Sequence, residues 1–297
     1  MPIDRDKALR ADPAVREIHW TTRDVLLYHL SLGAGAAAAT DPELHLTYEK
    51  NLMVLPTFAL VAGTGPSAGE APAPGLEMPG IDVDLRAVLH AGQGLRVHRP
   101  LPASGTATLR SRVAEVWDKG KAALVVLESA ATGADGDPLW TTTTRIWARG
   151  EGGFGGDAGP EEHTAAPDRP ADTVLTTATA PQQALWYRLN GDLNPLHADP
   201  AFARSAGFEQ PILHGLASYG LVAKALVDGV LNGDVTRLTG LTVRFAGPLV
   251  PGESIVTSVW RDGPPDDDGT QRLLLHAACP ERDDAPVLTH ATATVRP

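Results

Sequence analysis

Alternation of apolar and polar residues predicts four β-strands in the first half of the chain. The segments are residues 95–98, 106–117, 122–130 and 139–148. Side chains that alternate in this way suit strands with one buried face. Turn-forming residues separate the last three segments, so we expect an antiparallel sheet.

The segments before that sheet predict one helix and several less regular elements. Apolar residues at three- and four-residue spacing follow Thr22 and predict a helix that runs into the alanine-rich residues 34–39. Residues 45–49 predict a short strand, and the apolar residues 52–62 predict a buried helix with Pro56 in its first turn. An unpatterned arm and a loop are expected at 1–20 and 64–80.

The second half begins with helices and ends with strands. Thr179 can cap a helix near Pro181, with Gln182 at the capping-box position, and Gly191 can end that helix. Further helices are expected at 200–206 and, with an apolar stripe, at 214–231. Four strands follow, at 238–246, 253–261, 271–279 and 286–295.

Both halves place a helix before four strands, and this repeated order indicates a duplication. In each half, a Pro-Leu segment opens a strand that ends in tryptophan, at Trp117 and at Trp260. The fold class is therefore α+β. We expect a first half over residues 1–149, a linker over 150–172 and a second half over 173–297.

The glycine-rich start of the linker matches a nucleotide-binding pattern. Residues 150–155, GEGGFG, fit G-x-G-x-x-G. A dinucleotide fingerprint needs a strand before the glycines and a helix directly after them. Here acidic and proline-rich residues follow, so we interpret the run as linker and expect no dinucleotide.

Composition narrows the class of protein. The 297 residues are 43% hydrophobic and 21% charged, which is typical of a globular chain. No apolar run reaches ~18 residues and the N-terminus lacks the core of a signal peptide, so we expect no membrane partner and a cytoplasmic location. The single cysteine, Cys279, excludes an internal disulfide, and the net charge of −11 argues against a nucleic-acid partner.

One stretch of the second half concentrates polar chemistry. Asp192 and His197 lie five residues apart, with Asn194 and Pro195 between them. Because helix cannot pass through Pro195, the pair is expected on an ordered loop between two helices. A carboxylate and an imidazole held at one site can share acid and base work, although a structural loop is the alternative.

Other roles for these side chains need separate consideration. A calcium loop fails because Pro195 and Leu196 interrupt the expected ligand pattern. Zinc held by two histidines and an aspartate stays open as an alternative, although we expect no metal. Asp199, directly before Pro200, is expected to cap the helix that follows.

The stretch resembles the signature of a known family. The runs YRLNGDLNPLH at 187–197 and PILHGL at 211–216 resemble the hydratase 2 family, the MaoC-like (R)-specific 2-enoyl-CoA hydratases. Residues 54–59, 118–121 and 152–155 resemble its double-length members, including the hydratase part of peroxisomal multifunctional enzyme type 2. The resemblance implies a double hot-dog fold, in which two antiparallel sheets each wrap a long helix.

The resemblance also implies a reaction: reversible syn addition of water to a trans-2-enoyl-CoA, giving a (3R)-3-hydroxyacyl-CoA. It places Asp192 and His197 on the same water. His197 is the better base at neutral pH, and which group delivers which proton stays open. Asn194 can align the water or simply form a turn. The N–H of Gly215, at the start of the long helix, is the candidate donor to the thioester oxyanion.

Four further residues are expected to bind the substrate: His214, Arg244, Lys119 and Lys121. The three cations suit CoA phosphates, although each is also explained as a solvated charge, and His214 can instead cap or pack its helix. The first half lacks the Asp/His pair, so we expect it to be non-hydrating and its residues 52–62 to shape an acyl tunnel. No cofactor is expected, because the CoA thioester is itself the substrate. The family implies a homodimer.

Three alternatives remain for the function. A dehydratase acting on 3-hydroxyacyl thioesters of a carrier protein uses the same chemistry. A hot-dog thioesterase would aim its water at the carbonyl carbon, and a silent acyl-CoA-binding protein would need no intact pair. Released thiol indicates a thioesterase, loss of the enoyl absorbance without free thiol indicates hydration, and binding without turnover indicates a binding protein.

Overall fold

The computed structural model describes residues 3–36, 43–68, 78–83, 88–161 and 164–297. Ten strands form one antiparallel sheet in the order β1-β3-β4-β5-β2-β7-β10-β9-β8-β6. Their bounds are β1 Ala14–Trp20, β2 Val88–Val97, β3 Gly105–Asp118, β4 Ala122–Gly133, β5 Pro138–Arg149, β6 Thr173–Ala178, β7 Leu238–Phe245, β8 Ser254–Arg261, β9 Gln271–Cys279 and β10 Ala285–Val295. The four strands predicted in the first half after residue 90 and the four predicted in the second half are all present.

Six α-helices accompany the sheet. They are α1 Arg5–Arg10, α2 Thr22–Ser31, α3 Leu44–Thr47, α4 Gln183–Tyr187, α5 Pro200–Ser205 and α6 Gly215–Val230. The longest, α6, is buried along most of its length, and its Tyr219 hydroxyl donates to the carbonyl of Leu241 in β7 at 2.7 Å. The sheet of the second half wraps this central helix. In the described residues of the first half the longest helix is α2, with ten residues. The α+β prediction is confirmed.

The sequence pattern did not predict two of the strands, β1 and β6, and both lie at the edges of the sheet. The arm predicted at 1–20 contains α1 and β1, and β6 begins directly after the predicted linker. An edge strand has one neighbour and buries few side chains, so its sequence lacks a clear apolar face. Pairing with β3 and β8 forms these strands.

The segment between α2 and β2 also differs from prediction. Residues 45–49 do not form a strand, because α3 occupies most of them after a left-handed residue at Glu43. Residues 52–62 form a single 3-10 turn, Pro56–Leu60, instead of a helix, although Pro56 does open it. The first predicted helix ends at Ser31 and does not continue into residues 34–36, and its predicted tail at 37–39 lies outside the described residues. Most of the predicted loop at 64–80 (69–77) also lies outside them.

The helix near Pro181 starts later than its predicted cap. The Thr179 hydroxyl donates to the carbonyl of Glu253, so it does not cap α4. Gln183, one residue beyond the predicted box position, accepts from the N–H of Ala180 through its side chain. The predicted capping box is therefore wrong, and a tertiary contact to the strand region around Glu253 replaces it.

The two halves are related where β2 pairs with β7 at the centre of the sheet. Gly92 lies opposite Arg244 and Arg96 lies opposite Gly240, so the two strands cross symmetrically. Each strand also carries one extra, unpaired residue at the equivalent position: Ala91 in β2 and Thr239 in β7. A repeated β-bulge supports the duplication inferred from sequence, since bulges are specific features of a strand.

The glycine-rich run after β5 binds a carboxylate of its own chain. The N–H groups of Gly153 and Gly155 donate to Asp118, at 2.8 and 2.9 Å, and Gly120 donates to the same side chain. These contacts lower the pKa of Asp118. Backbone amides arranged in this way form an anion-binding nest. Asp118 fills it, which explains why the run resembles a phosphate-binding loop.

Across the part of the chain that the structure describes, we find no helix with the length and apolar character needed to cross a membrane.

Candidate active site

The Asp/His stretch forms the expected ordered loop between α4 and α5. Gly191 has a φ of 115° and its α-carbon packs against the carbonyl of Thr64, so a side chain there would meet both backbone strain and a clash. The hydroxyl of Thr64 donates to the carbonyl of Asn190 at 2.8 Å. A residue of the first half therefore fixes the backbone immediately before Asp192.

Asn194 holds the turn between the two candidate residues. Its side-chain oxygen accepts from the N–H of Leu196 at 3.0 Å, and its own N–H donates to the Asp192 carboxylate at 3.2 Å. Pro195–His197 then forms a 3-10 turn, and Asp199 caps α5 as predicted, accepting from Ala201 at 2.7 Å. The turn-forming role of Asn194 is therefore present, and a role toward water stays a prediction.

The tautomer of His197 follows from one hydrogen bond. Its Nδ1 lies 2.8 Å from the carbonyl oxygen of Ile212. A carbonyl only accepts, so Nδ1 carries a proton, and in the neutral ring the free lone pair is on Nε2. The ring is buried, with 8% of its surface exposed, so this orientation is held by packing as well. His197 thus presents an acceptor nitrogen that can take a proton.

His214 lies beneath His197 and is almost fully buried. The two imidazole rings stack with centroids 3.7 Å apart, and the Tyr187 ring lies 5.0 Å away on the other side. Nε2 of His214 donates to the backbone carbonyl of Asp192 at 3.2 Å. Burial, and then the neighbouring His197, lower the pKa of His214 to about 4, so it stays neutral at pH 7. The ring positions both candidate residues, and its predicted contact with substrate stays a prediction.

The donor atoms of Asp192, His197 and His214 lie within 4.8 Å of one another, which raises the zinc alternative. An imidazole binds zinc in the plane of its ring, at about 2.1 Å. The planes of His197 and His214 are stacked and only 27° apart, so they meet far beyond that distance. One ion could not lie in both planes, and the three side chains do not fit a shared zinc site.

Gly215 is the first residue of α6 and directly follows His214, which stacks on His197. Among the described residues, no oxygen accepts from this N–H, as expected for the first turn of a helix. A β-carbon at position 215 would lie 3.2 Å from the ring of Phe245, so glycine keeps the approach to the backbone open. A free N–H at a helix N-terminus is suited to a developing negative charge.

A groove of about 640 Å³ continues from Phe245 over the first half. Two of the predicted substrate-binding cations, Arg244 and Lys119, line it together. The groove also contains the apolar and aromatic side chains of Leu89, Trp117, Leu124 and Trp147. The third cation, Lys121, does not line the groove. Rings and cations along one channel can bind a ligand with both stacking and anionic groups.

The predicted acyl tunnel has a separate counterpart in the structure. Leu52, Met53, Val54 and Pro56 line a cavity of about 210 Å³ at the other end of the β2/β7 pair. This cavity and the groove share no lining residue. A continuous path from the Asp/His pair to residues 52–62 therefore stays a prediction.

The positions of two residues at the site could not be predicted from the sequence. Tyr187 belongs to the family signature, but its place against His214 appears only in the fold. His90 comes from the first half and its ring contacts Phe245, with centroids 4.8 Å apart. No local pattern could reveal His90, because β2 meets the site only through its pairing with β7.

Comparison with known proteins identifies the class. Residues 162–276 match the MaoC like domain, and residues 18–150 match the MFE-2 hydratase 2 N-terminal domain. A structure of a MaoC-like dehydratase from Phytophthora capsici superposes with a TM-score of 0.84 at 31% identity, covering 98% of each chain. A more distant Mycobacterium tuberculosis protein, 14% identical with a TM-score of 0.56, is described as a double hot-dog fold and supports the fold alone.

The relatives narrow the class to a family. Enoyl-CoA hydratase ChsH3 of Mycobacterium tuberculosis is 47% identical over 97% of this chain and 98% of its own length. A second protein of that organism, 3-hydroxyacyl-thioester dehydratase Y, is 42% identical over 82% of this chain and 83% of its own. The chain belongs to the MaoC-like hydratase 2 family.

Proposed function

We propose that the protein is a hydro-lyase that adds water reversibly to trans-2-enoyl-CoA and forms (3R)-3-hydroxyacyl-CoA. One observation carries the proposal. Nε2 of His197 keeps a lone pair beside the Asp192 carboxylate, in the same site as the free N–H of Gly215. Enoyl hydration needs a water held by a base and a donor to the thioester oxygen.

Each group has a role in the proposed reaction. Asp192 orients the water, and His197 takes one of its protons as the oxygen attacks C3 of the enoyl thioester. Negative charge moves to the thioester oxygen, where the Gly215 N–H donates to it. A proton then returns to C2 on the face that carries the pair, which gives syn addition. The reverse sequence dehydrates the 3-hydroxyacyl thioester, so the same groups exchange roles.

The groove supports CoA as the carrier of the acyl group. Arg244 and Lys119 can neutralise phosphate, and Trp117 and Trp147 offer flat surfaces for an adenine ring. Dehydration of a carrier-protein thioester is the second candidate, since one 42% identical relative is named a 3-hydroxyacyl-thioester dehydratase. A carrier protein would present the thioester on a phosphopantetheine arm and would not occupy the adenine end of the groove.

The deciding experiment follows the absorbance of the conjugated enoyl thioester after addition of crotonyl-CoA, with thiol release measured in parallel. We expect loss of absorbance without free thiol. Asp192→Asn and His197→Gln should each lower kcat by roughly 10²-fold or more, because each removes an acid–base group. Asp199→Asn is the matched control on the same loop, since asparagine caps a helix about as well as aspartate.

Other outcomes exclude the proposal in distinct ways. Thiol release would identify a thioesterase, and tight binding without turnover would identify an acyl-CoA-binding protein. Near-normal activity of Asp192→Asn or His197→Gln would refute the assignment of those residues. Comparing crotonyl-CoA with the same acyl group on a carrier protein decides between the two carriers.

Three coarser features complete the proposal. The reaction transfers no electrons, so we propose that it uses no cofactor, and activity should survive dialysis against a chelator. A homodimer is proposed by analogy within the family and is tested by light scattering. A cytoplasmic location fits a chain with one cysteine and no internal disulfide, and cell fractionation tests it. A role in fatty acid metabolism is proposed by analogy with the enoyl-CoA hydratase relatives.

A further inference from the structure

A histidine of the first half lies against the proposed site and has no role in the mechanism above. The ring of His90 meets the ring of Phe245 edge-on, with centroids 4.8 Å apart and planes at 66°. Phe245 in turn packs against the α-carbon of Gly215. His90, Phe245 and Gly215 therefore form one continuous row of contacts that ends at the candidate oxyanion donor.

A buried hydrogen-bond network fixes the His90 ring. Nε2 of Gln93 donates to the carbonyl of Gly94 at 3.0 Å, so its Oε1 must face the other way. That oxygen accepts from the hydroxyl of Thr144 and from Nε2 of His90, both at 3.1 Å. Only 2% of Gln93 is exposed, and a satisfied buried network holds its members in one geometry.

The β-bulge of β2 turns His90 toward the site. His90 pairs with Ile146 and Gly92 pairs with Arg145, which leaves Ala91 as the extra residue. In an unbroken strand, residue 90 would share a face with Gly92 and point away from Gln93. The extra residue places it on the face of Gln93 instead. Bulges next to active sites often redirect a side chain in this way.

The duplicated strand shows that the network belongs to one end of the molecule. Because β2 and β7 cross symmetrically and carry the same bulge, Leu238 is the counterpart of His90 and Leu241 is the counterpart of Gln93. Both leucines are buried. The fold therefore accepts apolar residues at these two positions. It does not by itself require the polar residues His90 and Gln93 beside the Asp/His loop.

The charge of Asp192 also reaches His90. His90 is exposed along the groove that it lines. Protein atoms packed around the ring lower the pKa of His90, while its hydrogen bond to Gln93 and, to a smaller extent, the Asp192 carboxylate act in the opposite direction. His90 therefore lies near both the carboxylate and the Gly215 end of the site. His90 and Phe245 both line the groove.

We propose that His90 is a positioning residue for the reaction: anchored by Gln93 and Thr144, it holds Phe245 against Gly215 and so fixes the thioester oxygen at the Gly215 N–H. This inference rests on the proposed function. The oxyanion contact matters most in the transition state, so its misplacement should lower kcat and leave ground-state binding largely unchanged.

The test compares His90→Leu with a matched control at the other end of β2. Leucine already occupies the counterpart position, so the substitution should fold. We expect kcat with crotonyl-CoA to fall roughly ten-fold or more, while KM and the Kd of butyryl-CoA change less than about two-fold. His98→Leu removes a histidine that follows the last residue of β2 and whose ring forms a hydrogen bond with the Thr141 hydroxyl at 3.0 Å; this variant should keep wild-type kcat.

A double-mutant cycle tests the route through Phe245. If His90 acts through that ring, Phe245→Leu should lower kcat as well, and the double variant should be no slower than the worse single variant. If the fold-losses in kcat of the two single variants multiply in the double variant, His90 does not act through Phe245. A wild-type kcat in His90→Leu would refute the inference as a whole. A parallel rise in KM and butyryl-CoA Kd would show a merely structural role and also refute it. Absence of hydration by the wild-type protein would refute the proposed function first, and a thioesterase or binder would leave no role for an oxyanion wall.

Discussion

Acid should destabilise this fold through one buried histidine of the first half. His29 is fully buried in α2 and joins two segments of the chain. Its Nδ1 lies 2.8 Å from the carbonyl oxygen of Leu46, so Nδ1 donates, and Nε2 accepts from the N–H of Leu55 at 3.1 Å. A proton on Nε2 would face the N–H of Leu55 and abolish that hydrogen bond.

The size of the effect follows from the pKa of the group. Burial lowers the pKa of His29 from 6.5 to about 4, against a smaller opposing contribution from the Leu46 carbonyl. Folding therefore favours the neutral ring, and stability is fully present above the unfolded pKa and is lost as pH falls from 6.5 toward 4. Linkage gives a loss of about 2 kcal/mol between pH 7 and pH 5, and about 3 kcal/mol in total.

His29→Gln tests this reasoning directly. The amide of glutamine can donate to Leu46 and accept from Leu55, but it does not titrate. Urea unfolding at pH 7, 6 and 5 should show that the variant loses about 2 kcal/mol less than the wild-type protein over this range. Other titrating groups, including His214, contribute to both proteins and cancel in the difference. Parallel pH dependences for the two proteins would refute the assignment.

Two further substitutions address the site and the groove. Gly215→Ala keeps the backbone N–H but places a β-carbon 3.2 Å from the ring of Phe245. We expect kcat to fall roughly ten-fold while the free energy of unfolding stays within about 1 kcal/mol of the wild-type value. An unchanged kcat would show that the Phe245 ring can move aside without affecting the reaction. Arg244→Gln should raise the KM for crotonyl-CoA several-fold with little change in kcat, and the effect should weaken with added salt. Arg96→Gln, the symmetric counterpart on β2, is its control, and an equal effect of both would contradict a phosphate contact in the groove.

The sequence alone accounts for much of the sheet, because alternation records which strand faces are buried. It predicted eight of the ten strands and missed β1 and β6, which lie at the two edges. Edge strands form hydrogen bonds with a single neighbour and bury few residues. They therefore depend on pairing with that neighbour, and their sequences show little alternation. The helix predicted at 52–62 was wrong for a related reason: ten of its eleven residues are apolar, and an apolar run cannot distinguish a helix from a buried turn.

The active loop was predictable for a local reason, while its surroundings were not. Pro195 cannot lie inside a helix and Gly191 can end one, so Asp192 and His197 were expected on a loop between helices. The tautomer of His197, in contrast, depends on the carbonyl of Ile212, fifteen residues away. Contacts at such separations are decided when the chain closes on itself.

What the sequence determined by itself is therefore the set of central strands, the duplication and the loop with its acid and base. The tertiary structure decided which residues of the other half meet that loop. His90 reaches Phe245 because β2 and β7 pair at the centre of the sheet, and a bulge turns it toward Gly215. The physical reason is that periodicity reports which face of an element is buried, but it carries no information on which distant element covers that face.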